Sequence, residues 1–257
     1  MIAIAAVVLA AGIALAWYFH SRSGQLAHAP AALPSAPPAA EPGPEHPLPS
    51  APSAGEAPLP SLTDSDASLR DALSGALGAE TVSRYLVPES IVRHLVVTID
   101  NLPRQKVAAR MRPVVGAPGG FMASGDELHA TLEPGNYARY DALVAPLRSL
   151  DMARVAAVYF HFYPLFQQAY QDLGYPNGYF NDRLVQVIDS LLATPKVQGP
   201  IALTRPNVLY VYADPALEAR PAGQKLLLRM GPDNAAIVKA KLAELKTLIT
   251  ATPPPKH

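Results

Sequence analysis

From Thr63 to Leu248 the apolar side chains recur mostly at steps of three and four, the spacing of one face of a helix. Thr63–Gly78 opens with Thr, Ser and Asp capping residues, places Leu69, Leu73, Ala76 and Leu77 at helical spacing, and meets Gly78 at its stop. A short helix is predicted near Glu80–Leu86. Pro88 suits a first helical turn, and Glu89–Asn101 continues with Ile91, Leu95, Val96 and Ile99 on one face, ending at Asn101-Leu102-Pro103. Tyr137–Leu150 and Asp151–Gly174 read as helices. In the second, Tyr159, Tyr163, Phe166 and Tyr170 form one aromatic stripe, read as core, and Pro164 is expected to kink the helix or divide it in two. Asn181–Ala193 carries Leu184, Val187, Ile188 and Leu191 on its apolar face, with Asn181 or Asp182 supplying the cap. Gln224–Met230 follows. Asp233–Leu248 closes the series, with Ile237, Leu242, Leu245 and Leu248 facing inward and Lys239, Lys241, Glu244 and Lys246 in water.

Two regions depart from that period. Phe121–Ala123 and Glu127–Leu132, joined by Ser124-Gly125-Asp126, read as one short β-hairpin. Ile201–Thr204 and Val208–Ala213, joined by Arg205-Pro206-Asn207, read as a second. The expected fold is α+β and predominantly helical, with two short β-hairpins, in one domain over residues 61–250. A tail of residues 251–257 is expected to be disordered.

The chain before this domain has another character. Ile2–Phe19 is an uncharged run of eighteen residues, about 27 Å long as a helix, which matches the hydrocarbon thickness of a bilayer. Trp17 and Tyr18 stand where aromatic rings prefer the headgroup level, and His20 and Arg22 follow as polar stops. Ala14-Leu15-Ala16 resembles a signal-peptide cleavage site, but the basic start of such peptides is missing and the apolar run is longer than they use. We therefore expect a transmembrane anchor over residues 1–22, embedded in a lipid bilayer through Ile2–Phe19. Eleven of the 28 prolines fall between Pro30 and Pro60, in a stretch with no aromatic residue and no lysine or arginine. Residues 23–60 are accordingly expected to form a disordered proline-rich stalk. Arg22 by itself would place the C-terminal side in the cytoplasm; a long spacer favours a domain reaching away from an inner membrane, and a periplasmic domain is the expectation.

Charge and motifs narrow the chemistry. Net charge is +0, and 19 basic against 18 acidic side chains within residues 61–250 leave the domain at +1, without the one-sided basic excess of a dedicated nucleic-acid binder. One basic run, Arg104, Lys106, Arg110 and Arg112, has no acid between Asp100 and Asp126; it reads as a solvated loop edge or as a docking patch for an anionic partner. The absence of cysteine removes disulfides, thiol chemistry and thiolate zinc sites. The domain's histidines, His94, His129 and His161, show no ligand spacing, so no metal is expected. Gly116–Gly120 lacks the lysine and the strand-to-helix setting of a phosphate cradle, and no nucleophile elbow is present. No cofactor and no catalytic set is expected.

The densest polar and aromatic segment is Tyr175-Pro176-Asn177-Gly178-Tyr179-Phe180-Asn181-Asp182-Arg183. Pro-Asn-Gly makes a turn, and aromatics beside Asn, Asp and Arg are side chains that binding surfaces favour. Tyr175, Asn177, Tyr179, Phe180, Asn181, Asp182 and Arg183 are thus the candidate ligand- or partner-binding residues. The competing reading is a connecting loop whose tyrosines pack inward and whose Asp182 pairs with Arg183 or caps the helix.

This segment, within Tyr163–Pro195, together with Ala222–Leu242, Leu59–Leu73 and Thr98–Arg104, resembles the bacterial family called domain of unknown function 3014. The likeness spans roughly residues 60–250. It implies an anchored envelope protein with a similar proline-rich stalk, and it implies no reaction and no catalytic residues. The expected function is a non-enzymatic interaction or scaffold module that docks an envelope protein or a cell-wall partner. The competing class is an envelope enzyme or small-ligand binder, acting on cell-wall sugars, with Asp141 or Asp182 as acid/base.

Overall fold

The structure, a computed structural model, describes residues 43–48, 58–126 and 129–251. The predicted anchor Ile2–Phe19, the tail from residue 252 and the remainder of the predicted stalk lie outside the described residues. Among the described residues no helix is long and apolar enough to cross a membrane.

Three helices begin the domain, α1 (Asp66–Leu77), α2 (Ala79–Tyr85) and α3 (Ile91–Asn101). The Asp66 carboxylate accepts from the backbone N–H groups of Ser90 and Ile91 at 2.7 and 2.8 Å. It thereby fixes the start of α3, whose own N-cap makes no side-chain bond. The predicted helix over Tyr137–Leu150 is instead three short pieces: α4 (Gly135–Ala138), α5 (Asp141–Val144) and a 3-10 turn, Ala145–Ser149. Pro146 has no N–H for the carbonyl of Ala142, and the Tyr85 hydroxyl donates to that carbonyl at 3.3 Å. Helix α6 (Met152–Asp172) runs unbroken for 21 residues through Pro164, so the expected division does not occur. Pro164 lies on the exposed side of the helix, away from the packed core. Then come α7 (Phe180–Leu192), the one-turn α8 (Pro215–Glu218), α9 (Ala222–Arg229) and α10 (Pro232–Thr250).

The two predicted hairpins are present and join. Strands β1 (Ala123–Gly125), β2 (Ala130–Leu132), β3 (Ala202–Thr204) and β4 (Val211–Tyr212) make one antiparallel sheet in that order. Ser124 and Gly125, expected in the turn, belong to β1, and the Asp126 carboxylate helps close the loop by accepting from the His129 N–H at 2.7 Å. Ala130 pairs with Leu203 and Leu203 with Tyr212, so one buried face runs across three strands.

Helix α6 is the centre of the main core. It packs against α1, α3, α7 and α10, and its aromatic stripe is buried there: Tyr159, Phe166 and Tyr170 point into the cluster and Tyr163 lies partly buried beside them. Burying each such side chain contributes about 1.5–3 kcal/mol. A smaller cluster under the sheet joins Ala130, Leu132, Ile201, Leu203, Tyr212 and Leu228. Helix α9 links the two, with Leu226 and Leu227 in the main core and Leu228 in the smaller one.

All eight residues of α9 are buried, which demands partners for its polar groups. The N–H groups of Ala222 and Gly223 donate to the carbonyls of Arg104 and Leu102 at 2.8 and 2.9 Å. Lys225 Nζ donates to the Glu218 carbonyl at 3.0 Å and to its carboxylate at 2.9 Å. The Arg229 guanidinium sits over the rings of Phe121 and Tyr212, 5.8 and 5.6 Å from their centroids. Gly223 permits this packing, because a Cβ there would stand 2.6 Å from a Leu191 methyl and 3.3 Å from the Leu102 carbonyl oxygen.

The buried line of α10 is Asn234, Val238, Leu242, Leu245 and Ile249. Relative to the predicted face it is rotated: Ile237 and Leu248 are only partly buried, at its edge. Lys239 and Lys241 are not fully in water. Their ammonium groups donate to the carbonyls of Thr194 and Leu150 at 2.8 and 3.0 Å, and their stems lie along the protein surface.

Candidate functional site

The site begins at the end of α3. Asp100, 2% exposed, sits on the apolar side of that helix and holds two cations. Arg104 Nη2 donates to its Oδ2 at 2.6 Å and Arg183 Nε to its Oδ1 at 2.9 Å, while Arg183 Nη2 donates to the Asp100 carbonyl at 2.8 Å. The Tyr175 hydroxyl accepts from Arg104 at 2.7 Å, and its ring stacks on Tyr170 with centroids 4.6 Å apart. The Asp100 carboxylate holds the Arg104 guanidinium above its ordinary pKa. This cluster rivets the segment after α6 to the end of α3.

Gln167, on α6, shapes the rest of that segment. Its Nε2 donates to the Gly178 carbonyl at 2.7 Å, and its Oε1 accepts from the Phe180 N–H at 2.9 Å and the Tyr163 hydroxyl at 3.0 Å. Burial is the first cause that pushes the Tyr163 phenol up to about 12. Gln167 thus supplies the first turn of α7 with the acceptor that a capping residue would otherwise provide. The N-cap position is Tyr179, and neither Asn181 nor Asp182 caps the helix as predicted.

Those two side chains bind something else. Asn181, 1% exposed, accepts from the Tyr159 hydroxyl at 3.0 Å and donates through Nδ2 to the carbonyls of His46 at 2.8 Å and Ile249 at 3.1 Å. Asp182 accepts from two consecutive backbone N–H groups, Glu45 at 3.0 Å and His46 at 2.8 Å. Gly43–Leu48, part of the predicted disordered stalk, is therefore held on the domain, and Leu48 packs against the main core. Beside this segment an open groove of about 430 Å³ remains, lined by Tyr170, Asn177, Tyr179, Asp182, Arg183 and Gln186.

The predicted residues divide accordingly. Asn177, Tyr179, Asp182 and Arg183 share the groove, with Asn177 and Tyr179 exposed. Tyr175 and Arg183 stand in the Asp100 cluster, and Arg183 pairs with Asp100 in place of the Asp182 partner that the competing loop reading offered. Phe180, 1% exposed, is a core residue stacked on Phe166 at 5.8 Å. The basic run is dispersed: Arg104 is tied to Asp100, Arg112 is partly buried and held below its ordinary pKa by desolvation, and Lys106 and Arg110 lie exposed.

Asp141 lies elsewhere. It accepts from Asn234 Nδ2 at 2.9 Å, near the start of α10, whereas Asp182 is next to Asn181, which reaches Ile249 near the end of that helix. The two ends are ~22 Å apart by helical rise. Sequence reasoning missed Asp100, Gln167 and the stalk's Glu45 and His46. Asp100 carries the one legible signal, a carboxylate on a strongly apolar helical face.

What these residues form is a helical scaffold whose Asn181 and Asp182 hold the main chain of a bent segment at the wall of an open groove. The chain belongs to the family described as protein of unknown function DUF3014, whose sequence profile matches residues 91–246. No curated protein and no solved structure matches it.

Proposed function

We propose that the protein is a membrane-tethered, non-enzymatic interaction module of the bacterial envelope. In this reading Ile2–Phe19 anchors it in the inner membrane, the domain stands in the periplasm, and the groove at Tyr179, Asp182 and Arg183 docks a bent, proline-containing segment of a partner protein.

The observation that carries this reading is the grip on Gly43–Leu48. One carboxylate accepts from two successive main-chain N–H groups, and the neighbouring Asn181 amide donates to the carbonyl of the second of those residues, His46. Such contacts read backbone shape rather than side-chain identity: successive N–H groups of an extended chain point to opposite sides, and the bend at Glu45-His46 turns both toward Asp182. Pro44 and Pro47 flank the gripped pair, and their fixed φ lowers the entropy lost on docking. A sugar-cleaving acid/base pair is disfavoured, because Asp182 is occupied by backbone donors and Asp141 is at the far end of α10.

His46→Pro removes one of the two donors and should loosen the chain's own segment. A labelled peptide spanning residues 42–49 should then bind the full-length variant at least tenfold more tightly than wild type. Adding Asp182→Ala should abolish that binding. Equal binding by all three proteins, or binding by none, would refute the proposal.

A further inference from the structure

A second cavity lies away from the stalk groove, between the loop that follows α7 and the first half of α10. Its volume is about 450 Å³. Val197, Ile201, Leu227, Leu228 and Ala235 give it apolar walls, with the Tyr137 ring at one side. Among the described residues no aspartate, glutamate or arginine lines it, and the charged lining residues are Lys196 and Lys239. Lys239 is held below its ordinary pKa, first by desolvation and then by Lys196. Two ammonium groups that repel one another therefore stand over an apolar hollow.

We propose that this cavity binds a single-chain fatty carboxylate, with the alkyl chain against Val197, Ile201 and Leu228 and the carboxylate between Lys196 and Lys239. Cavities of this size with apolar walls and a few polar groups are the usual form of small-ligand sites. An anion placed between the two lysines relieves their repulsion and restores the pKa that burial depresses. The apolar walls favour an anion that carries an alkyl chain over a bare phosphate. An uncharged apolar segment, such as the chain's own Ile2–Phe19, would fill the hollow but leave both ammonium charges without a counter-charge, Lys239 keeping only its bond to the Thr194 carbonyl. The inference stands on the cavity and its charges alone, independently of the stalk groove.

The test uses the full-length protein in zwitterionic nanodiscs, with acylation of individual lysines read by mass spectrometry. Octanoate, decanoate and dodecanoate should protect Lys196 and Lys239 selectively, while Lys106, outside the cavity, keeps its reactivity. Half-protection should fall about fourfold for each methylene added. Dodecanol should require at least tenfold more ligand. Ala236→Trp, at an exposed helical position lining the cavity, fills the space and should remove the protection with the circular dichroism spectrum unchanged. Equal protection by dodecanol, or protection that survives Ala236→Trp, would mean adsorption to the surface and overturn the assignment.

Discussion

Asp100 shows how one residue can fix a surface without belonging to it. Its buried carboxylate is matched by two guanidinium groups, so removing the charge strands cations whose partners are gone. Asp100→Asn should cost about 3 kcal/mol, read as a lower urea midpoint at unchanged slope. Arg104→Gln should cost no more than about 1 kcal/mol, since that arginine is half-exposed. At this scale the sequence was least informative. The turn at Pro176-Asn177-Gly178 and the inward aromatics could be read from composition. The partners of Asn181 and Asp182 could not, because Glu45 and His46 lie 137 and 136 residues from Asp182. No local pattern encodes a contact of that separation. Capping chemistry was the competing local use for both residues, and Gln167 had already taken it.

Helices were read well wherever an apolar stripe was long, as in α1, α3 and α6, since burial of that stripe is what holds them. They were misread where a proline's effect depended on its surroundings. Pro146 breaks its helix, and a tyrosine hydroxyl takes the released carbonyl. Pro164 leaves α6 continuous, because 21 residues of packing outweigh one lost hydrogen bond. Pro164→Ala should therefore raise thermal stability, by about 1–3 kcal/mol, as the restored bond and a better helix former act together. A scan of the thermal midpoint by circular dichroism that shows no rise would mean the backbone there has already adapted to proline. In the sheet, each hairpin was visible in its own turn residues, yet the pairing of β2 with β3 was not. That pairing joins strands from distant parts of the chain and is specified by the shared buried face of Ala130, Leu203 and Tyr212.

For the molecule as a whole, the concentration of buried phenols sets the response to alkali. Tyr140, Tyr159, Tyr163, Tyr170 and Tyr212 all have raised pKa values, in each case first through desolvation. Unfolded tyrosines ionise near 10, whereas the folded ones keep their protons beyond it, Tyr163 to about 12. Above pH 10 the unfolded state therefore binds fewer protons, and stability falls as pH rises. Phenolate absorbance and loss of helical ellipticity should appear together in that range, and Tyr163→Phe should make the decline shallower. Ionisation that precedes unfolding would contradict this. The amide of Asn181 has a different global effect. By holding His46 and Ile249 at once it brings the chain's way in and its way out to a single corner. Tension along the segment before Gly43 would consequently break the two hydrogen bonds to Asp182 and the one from Asn181 before any load reached the helices. That corner is a release point that yields ahead of the fold.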